Sequence, residues 1–142
     1  MKAIRHFGIV VSNLENALHF YRDLLGLKVH RRMDESGDYL STLMNLTNAA
    51  ATTVKLSADD GNLVELLCFH SLATRPMGEK TISETGPSHV SFTVEDIDAE
   101  YTRLSKAGVT FNSPPQLSPD GYAKVTFCRD FDGTFIELVQ EL

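Results

Sequence analysis

The segment that most restricts how this chain can fold is Asp132-Gly133-Thr134-Phe135-Ile136-Glu137-Leu138-Val139. Asp-Gly is a turn dipeptide, and the apolar run behind it has the character of a strand. Glu137 stands inside that run. Taking a carboxylate out of water costs on the order of several kcal/mol unless it is paired, so this residue demands a partner. The same arrangement occurs earlier, at Asp60-Gly61-Asn62-Leu63-Val64-Glu65-Leu66-Leu67. Turn, apolar residues, glutamate and apolar residues recur in the same order, and one shared cation would satisfy both carboxylates.

The segments before each glutamate repeat as well. Residues 4–11 form an apolar strand pattern interrupted by His6 and Gly8. Ser12 and Glu15 have the spacing of a capping box, and Leu14, Ala17, Leu18, Tyr21, Leu24 and Leu25 follow at helical intervals up to Gly26. Strands are expected at 27–32, 39–46 and 52–56, followed by the strand of Glu65. Pro76, Gly78, Gly86 and Pro87 mark a linker over 71–86. Residues 89–94 then alternate with period two. Asp96 opens a second helix carrying Ile97, Tyr101, Leu104 and Ala107, and Gly108 closes it. Strands are expected at 109–111 and 122–128, and the strand of Glu137 ends the chain. Val11-Ser12-Asn13-Leu14 matches Val94-Glu95-Asp96-Ile97, and Gly26-Leu27 matches Gly108-Val109. The expectation is an α+β fold of two βαβββ modules, about 1–70 and 87–142.

Each module offers one histidine on its first strand and one glutamate on its last: His6 with Glu65, and His89 with Glu137. His6 and His89 both stand five residues before the matched valine. Strand alternation puts Val90, Phe92 and Val94 on the face that packs under the helix and His89, Ser91 and Thr93 on the other. His6, Gly8 and Val10 likewise share the face away from the helix. Two imidazoles and two carboxylates make a donor set for one divalent ion among Zn, Ni, Co, Mn and Fe(II). On an octahedral ion they leave two adjacent positions for water or substrate. A lone histidine or glutamate on a strand is ordinarily a packing or solvated residue. The recurrence of both types at matching positions is what lifts this set above that reading. His19, His30 and His70 have no counterparts in the other half and are expected at the surface or in packing.

A net charge of -6 argues against nucleic acid or an anionic membrane as the main partner. No apolar run is long enough to span a bilayer. The N-terminal residues run straight into a strand pattern, with no export signal visible. Two cysteines, Cys68 and Cys128, form no disulfide framework and no CxxC spacing. Free thiols in a cytoplasmic protein are therefore expected.

The chain resembles the vicinal oxygen chelate superfamily, which includes glyoxalase I, methylmalonyl-CoA epimerase, extradiol dioxygenases, fosfomycin-resistance enzymes and bleomycin-binding proteins. The resemblance is carried by residues 10–27, by Ser88-His89-Val90-Ser91-Phe92, and by residues 129–138. In the last turn Phe131 and Thr134 stand where the family usually has proline and asparagine. The resemblance implies a single domain over 1–142, with curved mixed sheets around a cavity and metal ligands at His6, Glu65, His89 and Glu137.

It also implies a metal-dependent lyase or isomerase of the glyoxalase I or acyl-CoA epimerase type. Such an enzyme acts on a small molecule with neighbouring oxygens through a metal-stabilised enediolate. Glu137 by preference, and Glu65 otherwise, would be the catalytic carboxylate that moves the proton. Tyr39, Met44, Phe111 and Tyr122 are expected to shape the pocket. Bacterial glyoxalases usually place an arginine near Val10 and an asparagine near Phe69 to hold glutathione, and both are absent here. The alternatives are an Fe(II) ring-cleaving dioxygenase-like enzyme and a small-molecule-sequestering binding protein. A homodimer is expected, with the metal site either within one chain or exchanged between two.

Overall fold

A computed structural model of the chain describes residues 2–74, 78 and 81–142. The chain divides into two compact units, residues 1–76 and 77–142. The division falls inside the expected linker, and the described residues of 71–88 lie in no helix or strand.

The first unit is a four-stranded sheet in the order β1-β4-β3-β2. Its strands are β1 (Phe7–Val10), β2 (Lys28–Ser36), β3 (Ala50–Ser57) and β4 (Leu63–Phe69). β1 runs parallel to β4, and the other pairs are antiparallel. A parallel pair needs a crossover connection, and here a helix follows β1. That helix, α1 (Leu14–Leu18), continues as a π-helical turn over His19–Leu24, where the Leu25 N–H donates to the Phe20 carbonyl five residues back. The wide turn lets the adjacent residues Phe20 and Tyr21 both be fully buried, with their rings edge to face at 5.0 Å. The helix packs against β4. Val54, Leu56, Val64 and Leu66 are buried in the sheet. The cap is Asn13, whose side chain accepts from the Asn16 N–H, one residue after the expected Ser12.

One expected strand is a helix. The sequence pattern predicts a strand over 39–46, but α2 spans Asp38–Met44. Leu40 and Met44 are one helical turn apart and pack with Ala49 and Ala51, while Tyr39 and Leu43 face solvent. Gly37 at φ +88 precedes the helix and Asn45, left-handed at φ 53, ends it. A short apolar stretch fits period two or period 3.6, and here the punctuation at both ends decides.

The second unit repeats the plan, with sheet order β5-β8-β7-β6 and a parallel β5–β8 pair. Its elements are β5 (His89–Thr93), α3 (Ile97–Lys106), β6 (Gln116–Leu117), β7 (Ala123–Arg129) and β8 (Phe135–Glu141). Asp96 caps α3 by accepting from the Ala99 N–H at 3.0 Å. Asp98 and Glu100 lie in its first turn and Arg103 and Lys106 in its last, matching the helix dipole at both ends. Ile97 and Leu104 are its buried residues. The strand expected at 109–111 is reduced to one bridge, Phe111 to Cys128, and β6 arises instead in the loop after Pro115.

Candidate metal centre

Register explains how each unit brings its histidine to its glutamate. In the first unit Gly8 of β1 is the parallel partner of Glu65 on β4. His6 stands two residues before Gly8, on the same face by alternation. Its Nε2 lies 3.1 Å from Glu65 Oε2. In the second unit Ser91 is the partner of Glu137, and His89 stands two residues before Ser91. Its Nε2 lies 3.5 Å from Glu137 Oε2. The structure thus brings together each expected pair within its own unit. In either unit, among the described residues, no third His, Cys, Asp or Glu joins the pair.

These spacings suit metal donors. Imidazole nitrogen and carboxylate oxygen, each about 2.1 Å from one ion, lie roughly 3.0 Å apart at a right angle and about 3.4 Å apart in a tetrahedron. The surroundings differ between the units. Ser88 Oγ is 2.7 Å from His89 Nδ1, which fixes the ring and leaves Nε2 toward Glu137. His6 Nδ1 is buried with no hydrogen-bond partner. Lys55 on β3 is the cross-strand partner of Glu65, and its Nζ lies 2.8 Å from Glu65 Oε1. The equivalent partner of Glu137 on β7 is Phe127, whose ring meets His89 edge to face at 5.3 Å.

Lys55, Ser88 and Phe127 were not singled out from the sequence. Lys55 carried a usable signal: it is one cation between Val54 and Leu56, the mirror of one carboxylate in an apolar run.

Other expected positions take different roles. Met44 packs in the cluster of Leu40, Ala49 and Ala51, and the Phe111 ring meets Tyr101 of α3 edge to face at 4.8 Å. Tyr39 and Tyr122 are exposed. His19 pairs with Asp23, which Arg22 holds well below the usual carboxylate range, at about 2. His70 Nε2 meets the buried Thr52 hydroxyl, which donates to Asp34. His30 fills a β-bulge between Val29 and Arg31. Cys68 and Cys128 are free and buried. Burial, with Asp130 nearby, pushes the Cys128 thiol up to about 12.

Two units of this plan, each a four-stranded mixed sheet facing a histidine against a glutamate across a parallel strand pair, define a class of α+β proteins built from paired βαβββ modules. The profile of the Glyoxalase/Bleomycin resistance protein/Dioxygenase superfamily matches residues 3–138, and the chain belongs to that superfamily. It is 32% identical over 141 residues to an ethylmalonyl-CoA/methylmalonyl-CoA epimerase of Cereibacter sphaeroides, covering 96% of each chain. It is 26% identical to a probable lactoylglutathione lyase of Vibrio cholerae, covering 96% of this chain and 89% of the other. Among solved structures, a glyoxalase family protein of Bacillus cereus superimposes with a TM-score of 0.90 at 26% identity, covering 100% of this chain and 95% of that one. No helix among the described residues is long and apolar enough to cross a membrane.

Proposed function

We propose that the chain is a divalent-metal-dependent lyase or isomerase of the glyoxalase I or acyl-CoA epimerase type. The observation that carries this reading is the pair of imidazole–carboxylate contacts at donor spacing, His6 to Glu65 and His89 to Glu137. On this reading His6, Glu65, His89 and Glu137 would hold one ion of the Zn, Ni, Co, Mn or Fe(II) group. The two modules then act as a single domain over 1–142. Once bound there, such an ion would supply Lewis-acid stabilisation of the charge that develops on a substrate when a proton leaves the carbon next to a carbonyl. Glu137 takes that proton and returns it, and Glu65 stays in place. His89 is held for its part by Ser88.

The substrate is a small molecule with two neighbouring oxygens. The identity to an acyl-CoA epimerase puts acyl-CoA thioesters first among the compounds to screen. Hemithioacetals follow. Val10 and Phe69 replace the polar pair that would hold glutathione. The protein works as a homodimer in the cytoplasm, a placement that rests on two free cysteines.

The test is elemental analysis of protein purified without added metal, followed by solvent-deuterium exchange at the alpha carbon of candidate substrates. About one ion per site with exchange supports the reading. Oxygen consumption with a catechol would move the assignment to the dioxygenase type, and tight binding of a small molecule by a metal-free protein would move it to sequestration.

A further inference from the structure

The two half-sites differ at one register position. Lys55 faces Glu65 from β3, and Phe127 faces Glu137 from β7. Lys55 and Glu65 are direct cross-strand partners on the two interior strands of their sheet. Both backbones are therefore fixed on each side by strand pairing. The Lys55 side chain is 20% exposed and that of Glu65 12%, so the pair is shielded from most solvent. Lys55 Nζ holds Oε1 at 2.8 Å, and the other oxygen, Oε2, faces His6 Nε2 at 3.1 Å. One oxygen is tied and one is presented.

Glu137 has no such tie. Its ion-pair contact among the described residues is His89, at 3.5 Å. The Phe127 ring donates no hydrogen bond to a carboxylate and is engaged with the edge of His89.

We propose that Lys55 is a positioning residue that clamps Glu65 by one carboxylate oxygen and so makes it the standing, one-oxygen ligand of the metal site. Resting on the metal reading above, this assigns different work to two glutamates that look equivalent in the repeat. Glu65 is preorganised before an ion arrives, because its rotamer is set by a partner other than the ion. Glu137 is the carboxylate with freedom to leave the ion and move toward substrate. Its swing costs no broken ion pair with a lysine. The charge on Lys55 also stays beside the site after Glu65 has given its other oxygen to the ion.

The test is equilibrium Co(II) binding to metal-stripped protein, read from the visible absorption of the bound ion. The proteins are the wild type, Glu65→Gln, Glu137→Gln, Lys55→Met, and the Lys55→Met combination with each glutamine. Glu65→Gln should weaken Co(II) binding about ten-fold more than Glu137→Gln does, the scale of effect seen when a ligand's support is lost. Lys55→Met should shrink that gap to near nothing, should alter the Co(II) spectrum, and should add little once Glu65 is already glutamine. Lys55→Arg, which keeps the ion pair, should restore the gap. A general effect of charge on the ion acts equally beside both glutamates and cancels in this comparison. Should Lys55→Met fail to fold, Lys55→Leu, which also removes the donor and the charge, is read in the same way.

A gap unchanged by Lys55 substitution, or a Lys55 effect just as large in the Glu65→Gln background, overturns the inference and leaves the metal reading intact. A wild type that takes up no Co(II), or a Glu65→Gln protein that binds it as tightly as wild type, overturns both.

Discussion

His89 is the register partner of Phe135, two residues before Glu137 on the same strand, and this places its Nε2 3.5 Å from the Glu137 carboxylate. The contact follows from sheet register and strand alternation alone, without a loop to position either residue. Removing the imidazole therefore removes a donor and leaves the strand. His89→Ala should fold and lose most of its metal, measured by elemental analysis after gel filtration. Metal content equal to wild type would remove His89 from the site. In the wild type, metal affinity should fall on acidification, because imidazole must shed its proton to bind.

Glu137→Gln separates binding from chemistry. The amide keeps a carbonyl oxygen for the ion but cannot carry the proton. Most of the metal should remain, while deuterium exchange at the substrate's alpha carbon should fall by a factor of about 10² to 10⁴. A variant that exchanges at the wild-type rate would show that another group is the base.

Leu66 is fully buried on β4, in the strand that also carries Glu65. Leu66→Ala should destabilise the protein by about 2–5 kcal/mol through lost burial and the cavity left behind. Tyr39→Ala, on the exposed side of α2, should change stability by no more than about 0.5 kcal/mol. Urea midpoints of the two variants check both values. A large effect at Tyr39 would mean that α2 is packed on its other face.

The Cys128 thiol is pushed up to about 12 from an ordinary value of 9.0, chiefly by burial. The folded state thus binds this proton more tightly than the unfolded chain does. Its contribution to stability is complete below about pH 9 and is lost as pH rises from about 9 toward 12. Cys128→Ala should show a smaller fall in urea midpoint over that window than the wild type. Near neutral pH the native thiol should resist iodoacetamide, since the thiolate is the reactive form. Rapid labelling of native protein, located by mass spectrometry at Cys128, would contradict the burial.

The repeat was legible because it is written in residues whose chemistry conflicts with their setting. Glu65 and Glu137 stand in apolar runs, and the histidines sit at matching offsets. Asp96 and Gly108 carry their helix-end signals in their own side-chain chemistry, so α3 could be placed closely. α2 was not legible as a helix. Its seven residues present only the buried Leu40 and the partly buried Met44 to the core, and the left-handed Asn45 that ends it looks like any loop asparagine. Asn13 and Ser12 are both good caps, and only the hydrogen bond to the Asn16 N–H separates them. Lys55 is masked by the repeat itself, because its counterpart is Phe127 and the two halves do not match at this position. Partner choice across a sheet is set by register, and register is fixed by pairing between strands distant in sequence.

The last prediction concerns assembly. On the proposed metal reading each unit would supply one imidazole and one carboxylate, so a four-ligand site would draw on one unit of each kind. The second kind can come from the same chain or from the other chain of a homodimer. The prediction is exchange between the two chains. Heterodimers of a His6→Ala chain with a Glu137→Ala chain distinguish the two. With exchange, one site collects both defects and the other receives His6, Glu65, His89 and Glu137 intact. Up to half of the wild-type activity and metal content should then return in the heterodimer. With sites formed within one chain, every site keeps one defect and neither returns. Verified heterodimers that recover nothing would exclude exchange and leave the metal assignment standing, because each parent protein would still be impaired by the loss of its own donor.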